Sequence, residues 1–253
     1  MSVQKALRGV WEPTARHIRA EFNGEIVADS YNAMLLRESG YQIYYFFPIN
    51  DVRMDLLEAS EYTTEAHVKG KTKHWDIRVG DRVAEHAAFT YSSQVDDRPD
   101  FTGYIAFEWN AIDHWYEEAE EVLVHPRDPY HRVDTIKSAR HIKVVVDGTV
   151  IAETRQPYLL FETSLPTRYY IPMEDVNFEY LEPTDHHTGC PYKGEASYWN
   201  VVVNGNVHNN VVWAYLDPLP EIPKIKDTVA FYNERVDIYV DGELEERPRT
   251  VFA

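Results

Sequence analysis

The segment His141–Glu153, "HIKVVVDGTVIAE", sets two β-branched runs on either side of Asp147-Gly148. An Asp-Gly or Asn-Gly pair between such runs is the strongest short-range signal of a two-residue β-hairpin, because both turn positions need positive φ. The same pattern occurs 124 residues earlier, where His17–Asp29 reads "HIRAEFNGEIVAD" around Asn23-Gly24. "YWNVVVNGNVHNNVVWAY" (Tyr198–Tyr215) offers a further hairpin at Asn204-Gly205, and "VDIYVDGEL" another turn at Asp241-Gly242. Alternation such as Val236-Asp237-Ile238-Tyr239-Val240 fits strands with one buried face.

The echo extends over most of the chain. Arg16–Glu118 lies without a gap on Arg140–Gly242, and about a quarter of the pairs are identical, several times the chance level. "RHI" meets "RHI", Leu35-Leu36 and Glu38 meet Leu159-Leu160 and Glu162, and Tyr45, Pro48, Asp51 and Val52 meet Tyr169, Pro172, Asp175 and Val176. "GCPYKGEASYWNV" (Gly189–Val201) has a faded twin in "EAHVKGKTKHWDI" (Glu65–Ile77). A repeat this long is a duplicated domain, since solenoid units run to roughly 20–50 residues. The expected organisation is a first repeat over 1–120, a linker over 121–139 with an acidic run and two prolines, and a second repeat over 140–253. The fold expected is mainly β, two small barrels or pairs of packed sheets in tandem with little helix. "PMEDV" (Pro172–Val176) is expected to open a short helical turn, and "DHWYEEAEEV" (Asp113–Val122) to be helical.

The 253 residues, 44% hydrophobic and 13% aromatic, supply a packed core, and a net charge of -17 argues against a nucleic-acid groove or an anionic membrane surface. One cysteine excludes an internal disulfide and a multi-thiolate zinc site. "MSVQKALRGVWEP" lacks the apolar stretch of a signal peptide, and no run approaches a membrane span, so a cytoplasmic protein is expected. No Gly-rich phosphate loop, G-x-S-x-G elbow or H-E-x-x-H pattern occurs.

"HPRDPYHRVD", "ETSLPTRYYIPMEDV", "CPYKGEASYW" and "VAFYNERVDIYVDGE" together resemble the domain of unknown function 427 family in tandem form, over about residues 10–250. The resemblance implies small, mostly β domains similar to the β-tent (Mss4-like) architecture. It also brings a nucleotidyltransferase-like label, for which the chain shows no motif. Many β-tent relatives hold a zinc through two cysteine pairs; with Cys190 alone, this chain is expected to need no metal and no cofactor.

Residues shared by both repeats are the ones most easily explained by fold. The second repeat holds Arg168, Tyr170, Cys190, Tyr192 and Tyr198 where the first has Tyr44, Phe46, Ala66, Val68 and His74, while Glu162, Tyr169, Asp175, Lys193 and Trp199 recur as Glu38, Tyr45, Asp51, Lys69 and Trp75. The second repeat is therefore the expected site and the first its scaffold. Arg168 and Lys193 suit a carboxylate or phosphate, and Tyr169, Tyr170, Tyr192, Tyr198 and Trp199 would shape the pocket. Cys190 would act as nucleophile, line the cavity or simply pack as a small apolar residue; as nucleophile it would have Lys193 stabilising a thiolate and His186 or His187 as base, with Glu162 orienting Arg168 or serving as base. The competing reading pairs Arg168 and Lys193 with Glu162 and Asp175 in structural ion pairs. "DHHTGC" contains metal-binding types at no established spacing, and His125 and His131 read as exposed linker residues or interface contacts. The expected function is binding of a small anionic metabolite; if the site also transforms it, acid/base or thiol-assisted transfer is the chemistry these residues permit. The alternatives are a peptide- or protein-binding module using strand edges or an aromatic cage, and a nucleotide-handling enzyme.

Overall fold

The computed structural model describes residues 10–38, 41–66, 70–91, 99–250 and 252. The chain divides into two compact units, Met1–Asp128 and Pro129–Ala253. Both are built of antiparallel strands, and among the described residues the only helical elements are short 3-10 turns. None of these is long and apolar enough to cross a membrane.

The larger sheet of the first unit runs in spatial order Val10–Pro13, Met34–Arg37, Tyr44–Pro48, Tyr104–Phe107, Arg82–Tyr91, Gly70–Val79 and Leu57–Ser60, with Glu65–Ala66 also paired to Gly70–Val79. Its smaller sheet runs Glu120–Glu121, His114–Glu117, Ile18–Phe22, Glu25–Ser30. In the second unit the larger sheet is Val133–Lys137, Tyr158–Glu162, Arg168–Pro172, Thr228–Phe231, Asn206–Ala214, Gly194–Val203, Leu181–Cys190. The smaller is Thr149–Thr154, Ile142–Val146, Asp237–Val240, Glu243–Leu244.

The duplication read from the sequence is thus a duplication of strand order. The irregularities are duplicated too. The register shifts between Ala20 and Glu21, and again between Val144 and Val145; it shifts between Trp75 and Ile77, and again between Trp199 and Val201. Bulges of this kind re-aim a strand and behave as designed features. The turns follow the sequence signal: Asn23-Gly24, Asp147-Gly148, Asn204-Gly205 and Asp241-Gly242 all have positive φ at both positions, as a type I′ hairpin requires.

At Pro172–Val176 the helical turn is a 3-10 turn over Met173–Asp175, with Pro172 capping it. Asp175 accepts from the Thr154 hydroxyl at 2.5 Å, as Asp51 accepts from Ser30 at 2.6 Å, so this shared aspartate is fold chemistry. The helix expected over Asp113–Val122 is instead a strand, a turn at Glu118 (φ 55°) and a second short strand. As a helix, Glu117 and Glu121 would repel at i,i+4 spacing; as a strand, alternation buries Trp115 and Glu117 against the core. Within 121–139, Val122 is buried in the first unit, and Val133–Lys137 pairs with Tyr158–Glu162 in the place that Val10–Pro13 holds in the first unit.

In the second unit, one apolar cluster fills the space between the sheets, around Ile142, Val144, Tyr169, Ile171, Val201 and Phe231. Another lies on the opposite face of the larger sheet, around Leu160, Tyr170, Tyr198, Trp213 and Tyr215, covered by Ile222 and Ile225. Alternate residues of one strand feed the two clusters because successive side chains leave a strand on opposite faces.

Candidate functional site

That alternation divides the expected site residues. Tyr169 and Trp199 pack with the inter-sheet core, and the Tyr169 hydroxyl donates to Glu245 at 2.6 Å. Arg168, Tyr170, Cys190, Lys193 and Tyr198 belong to the opposite, outer face or its rim. The first unit repeats the inward tyrosine: Tyr45 donates to Glu117 at 2.5 Å, so Tyr169 is explained by fold. The first-unit positions Val68 and Lys69, and the Ala66 side chain, lie outside the described residues.

On the outer face Arg168 is not paired with Glu162. Its guanidinium makes a two-point ion pair with Glu234, at 2.6 and 2.7 Å, and donates to Asn233 Oδ1 at 3.1 Å. The rings of Trp213, Tyr232 and Phe252 stand 5.5, 5.7 and 5.9 Å from its carbon centre, and Thr250 donates to Glu234 at 2.6 Å. Burial opposes ionisation of Glu234, but the bonds from Arg168 and Thr250 outweigh it and hold the carboxyl below its usual value. Arg168 is 5% exposed, and its charge is already matched by Glu234.

Glu162 serves Lys193. The Lys193 ammonium donates to Glu162 Oε2, while His131 Nε2 lies 3.0 Å from Oε1 and the Tyr192 ring stacks on His131 at 4.2 Å. His131 is therefore part of this cluster. Gly194, which follows Lys193, has φ 104°, a backbone conformation that favours glycine, so glycine sets the path of the chain beside the lysine.

Between the two ion pairs lie tyrosine hydroxyls. Tyr170 accepts from Trp213 Nε1 at 3.2 Å, and Tyr198 meets Thr188 at 2.8 Å. Burial, first of all, pushes Tyr170, Tyr215 and Tyr232 well above the ordinary tyrosine range, and nearby Glu162 and Cys190 push the first two further. These hydroxyls stay protonated, so each keeps a proton it can donate. Cys190, half-buried, packs against this cluster, but neither His186, which rests on Tyr198 at 4.6 Å, nor His187, 3.6 Å from Glu195, hydrogen-bonds to it among the described residues.

The first unit uses the same face differently. Trp11, Phe46, Phe89 and Phe101 pack edge to face there, at centroid separations between 5.1 and 6.0 Å. Sequence reasoning missed Glu234, Asn233, Tyr215, Tyr232 and the role of His131. The signal for the first two was the motif "FYNERVD", and for His131 the motif "HPRDPYH". Among the described residues no group of three His, Cys, Asp or Glu side chains is placed to hold a metal ion.

No curated protein matches this chain. Residues 10–118 and 134–242 each match the family described as Domain of unknown function (DUF427), two segments set 124 residues apart as the strands are, and the chain belongs to that family as a tandem member.

Proposed function

We propose that the second unit binds a small anionic metabolite at the Lys193–Glu162–His131 cluster. The observation that carries this reading is the Glu162 carboxylate, 7% exposed in its side chain and shared between Lys193 and His131. A buried ion pair gains little over apolar groups of the same volume; because Glu38, the twin of Glu162, is also buried in the first unit, the reading rests on His131 and Tyr192, which stand at the pair in the second unit. A ligand carboxylate or phosphate that takes the place of Glu162 between the two nitrogens keeps their charge compensated. The protonated hydroxyls of Tyr170 and Tyr215 would donate to its remaining oxygens. Arg168 has a different part: its pair with Glu234 braces the face on which the ligand rests.

The peptide-binding alternative draws less support. The outer edge strand Leu181–Cys190 carries Pro183, and its register breaks between Pro183 and His187, two features that guard an edge against a further strand.

Native mass spectrometry of the purified protein, with Lys193→Ala and His131→Ala beside it, tests the proposal. The expected result is a small acid retained by the wild type and lost from both folded variants. A wild type that stays empty after incubation with a metabolite extract, with variants that unfold at lower denaturant, would reduce the cluster to a structural ion pair.

A further inference from the structure

We infer that Asn204 is a site of spontaneous covalent modification, independent of the proposal above: its side-chain amide is converted to aspartate and isoaspartate by attack from the Gly205 backbone nitrogen. The chain has two Asn-Gly steps, Asn23-Gly24 and Asn204-Gly205. Glycine leaves this attack unhindered, since it presents no Cβ beside the nitrogen. Gly205 has nothing within 4 Å of an added Cβ, and its N–H makes no hydrogen bond among the described residues. In the reaction the Gly205 nitrogen bonds to the Asn204 side-chain carbonyl carbon and gives up its proton, and the side-chain nitrogen leaves as ammonia. Water then opens the cyclic imide at either carbonyl. Amide and water go in, acid and ammonia come out, and nothing is oxidised or reduced.

The two steps share a backbone state and differ in their side chains. φ is 49° at Asn23 and 79° at Gly24, and 52° at Asn204 and 82° at Gly205, so the restraint that the turn places on the attack is common to both. Both asparagines are exposed. The Asn23 amide is tied, because its Nδ2 donates to the Val79 carbonyl at 3.0 Å. The Asn204 side chain makes no hydrogen bond among the described residues, and the polar groups just beyond it are taken: Asn206 and His208 both turn to Asp147, at 3.0 and 2.9 Å. The nitrogen that must leave is held at Asn23 and loose at Asn204. A bond that must break first slows the reaction about fivefold, the rate equivalent of about 1 kcal/mol.

The two products differ in what they do to the fold. Asn204-Gly205 joins Gly194–Val203 to Asn206–Ala214, and the pair Val203–Asn206 closes the hairpin. Aspartate leaves the main chain as it was, and this unit already carries aspartate in the turns Asp147-Gly148 and Asp241-Gly242, with positive φ at each. Isoaspartate puts an extra carbon into the main chain of a two-residue loop, which then no longer matches the twist of its strands. Tyr198 and Trp213 sit opposite each other on this hairpin and belong to the outer-face cluster. An aged sample is therefore a mixture of an intact form and one in which that face is loosened.

Storage of the full chain at mildly alkaline pH, followed by peptide mass mapping with fragmentation that separates aspartate from isoaspartate, tests the assignment. Deamidation should appear first at Asn204, about fivefold ahead of Asn23, with ammonia released in step. In urea the two Asn-Gly steps should react alike, because neither amide then has a partner. The isoaspartate fraction should melt lower than fresh protein. Asn204→Asp should keep the fresh melting temperature and lose it on storage far more slowly than the wild type, which separates the covalent change from any effect of charge. Equal rates at Asn23 and Asn204 in the folded chain, Asn23 reacting first, or both steps silent over a period in which the unfolded chain converts would each overturn the site.

Discussion

Arg168 and Glu234 meet through two parallel bonds of 2.6 and 2.7 Å, with the Glu234 side chain wholly out of water. Removing one member strands the other charge. Glu234→Gln should therefore destabilise the protein by about 3–5 kcal/mol, whereas the double replacement Arg168→Met/Glu234→Leu should recover most of that loss. Urea unfolding curves decide it; a double variant as weak as the single one would show that the pair itself, and not the stranded charge, stabilises the face.

The same carboxyl sets an acid limit. Its folded pKa lies below the usual 4.5, so its stabilisation is present above that value and is lost as pH falls through the folded pKa. An alkaline limit comes from Tyr44, which burial and then Glu108 push from 10.0 up to about 12. A neutral group with a raised pKa contributes below its unfolded value and loses that contribution as pH rises through the folded one. Stability against pH should fall below about pH 4.5 and again between pH 10 and about 12, and Tyr44→Phe should blunt the alkaline arm alone.

Gly24 and Gly148 hold φ of +79° and +78° with nothing within 4 Å of an added Cβ, so only the backbone conformation resists substitution. Gly24→Ala and Gly148→Ala should each cost about 1–2 kcal/mol, by nearly equal amounts. Denaturation midpoints measured side by side check this, and a large inequality would mean that the two hairpins carry different loads.

The second unit begins before Arg140. Val133–Lys137 pairs along its length with Tyr158–Glu162 and shields Thr135, which is 8% exposed. A fragment spanning 129–253 should unfold cooperatively, while one spanning 140–253 should bind hydrophobic dye and melt lower. Equal melting of the two would make the strand dispensable.

The parts of the fold that were legible in the sequence are those written locally. Asn-Gly and Asp-Gly announce a turn through the φ they tolerate, and a repeat needs only the chain beside itself. The site was half legible. Comparing the repeats singled out Arg168, Tyr170 and Cys190, and the structure brings these to one face. Tyr169 could have been set apart by the same alternation that defined the strands, since neighbours on a strand face opposite ways. Glu234 could not be chosen in advance: it lies 66 residues from Arg168, in a chain with 42 acidic residues to choose from. The misread helix at Asp113–Val122 had the composition of one, and tertiary pairing with Ile18–Phe22 overrode it.

The register shifts that recur at Ala20/Glu21 and Val144/Val145, and at Trp75/Ile77 and Trp199/Val201, have a practical consequence. Because these two flaws in the ladders coincide, residues beside them can be exchanged between the halves without realigning the strands. The protein is its own paired experiment, each half the blank against which the other is read.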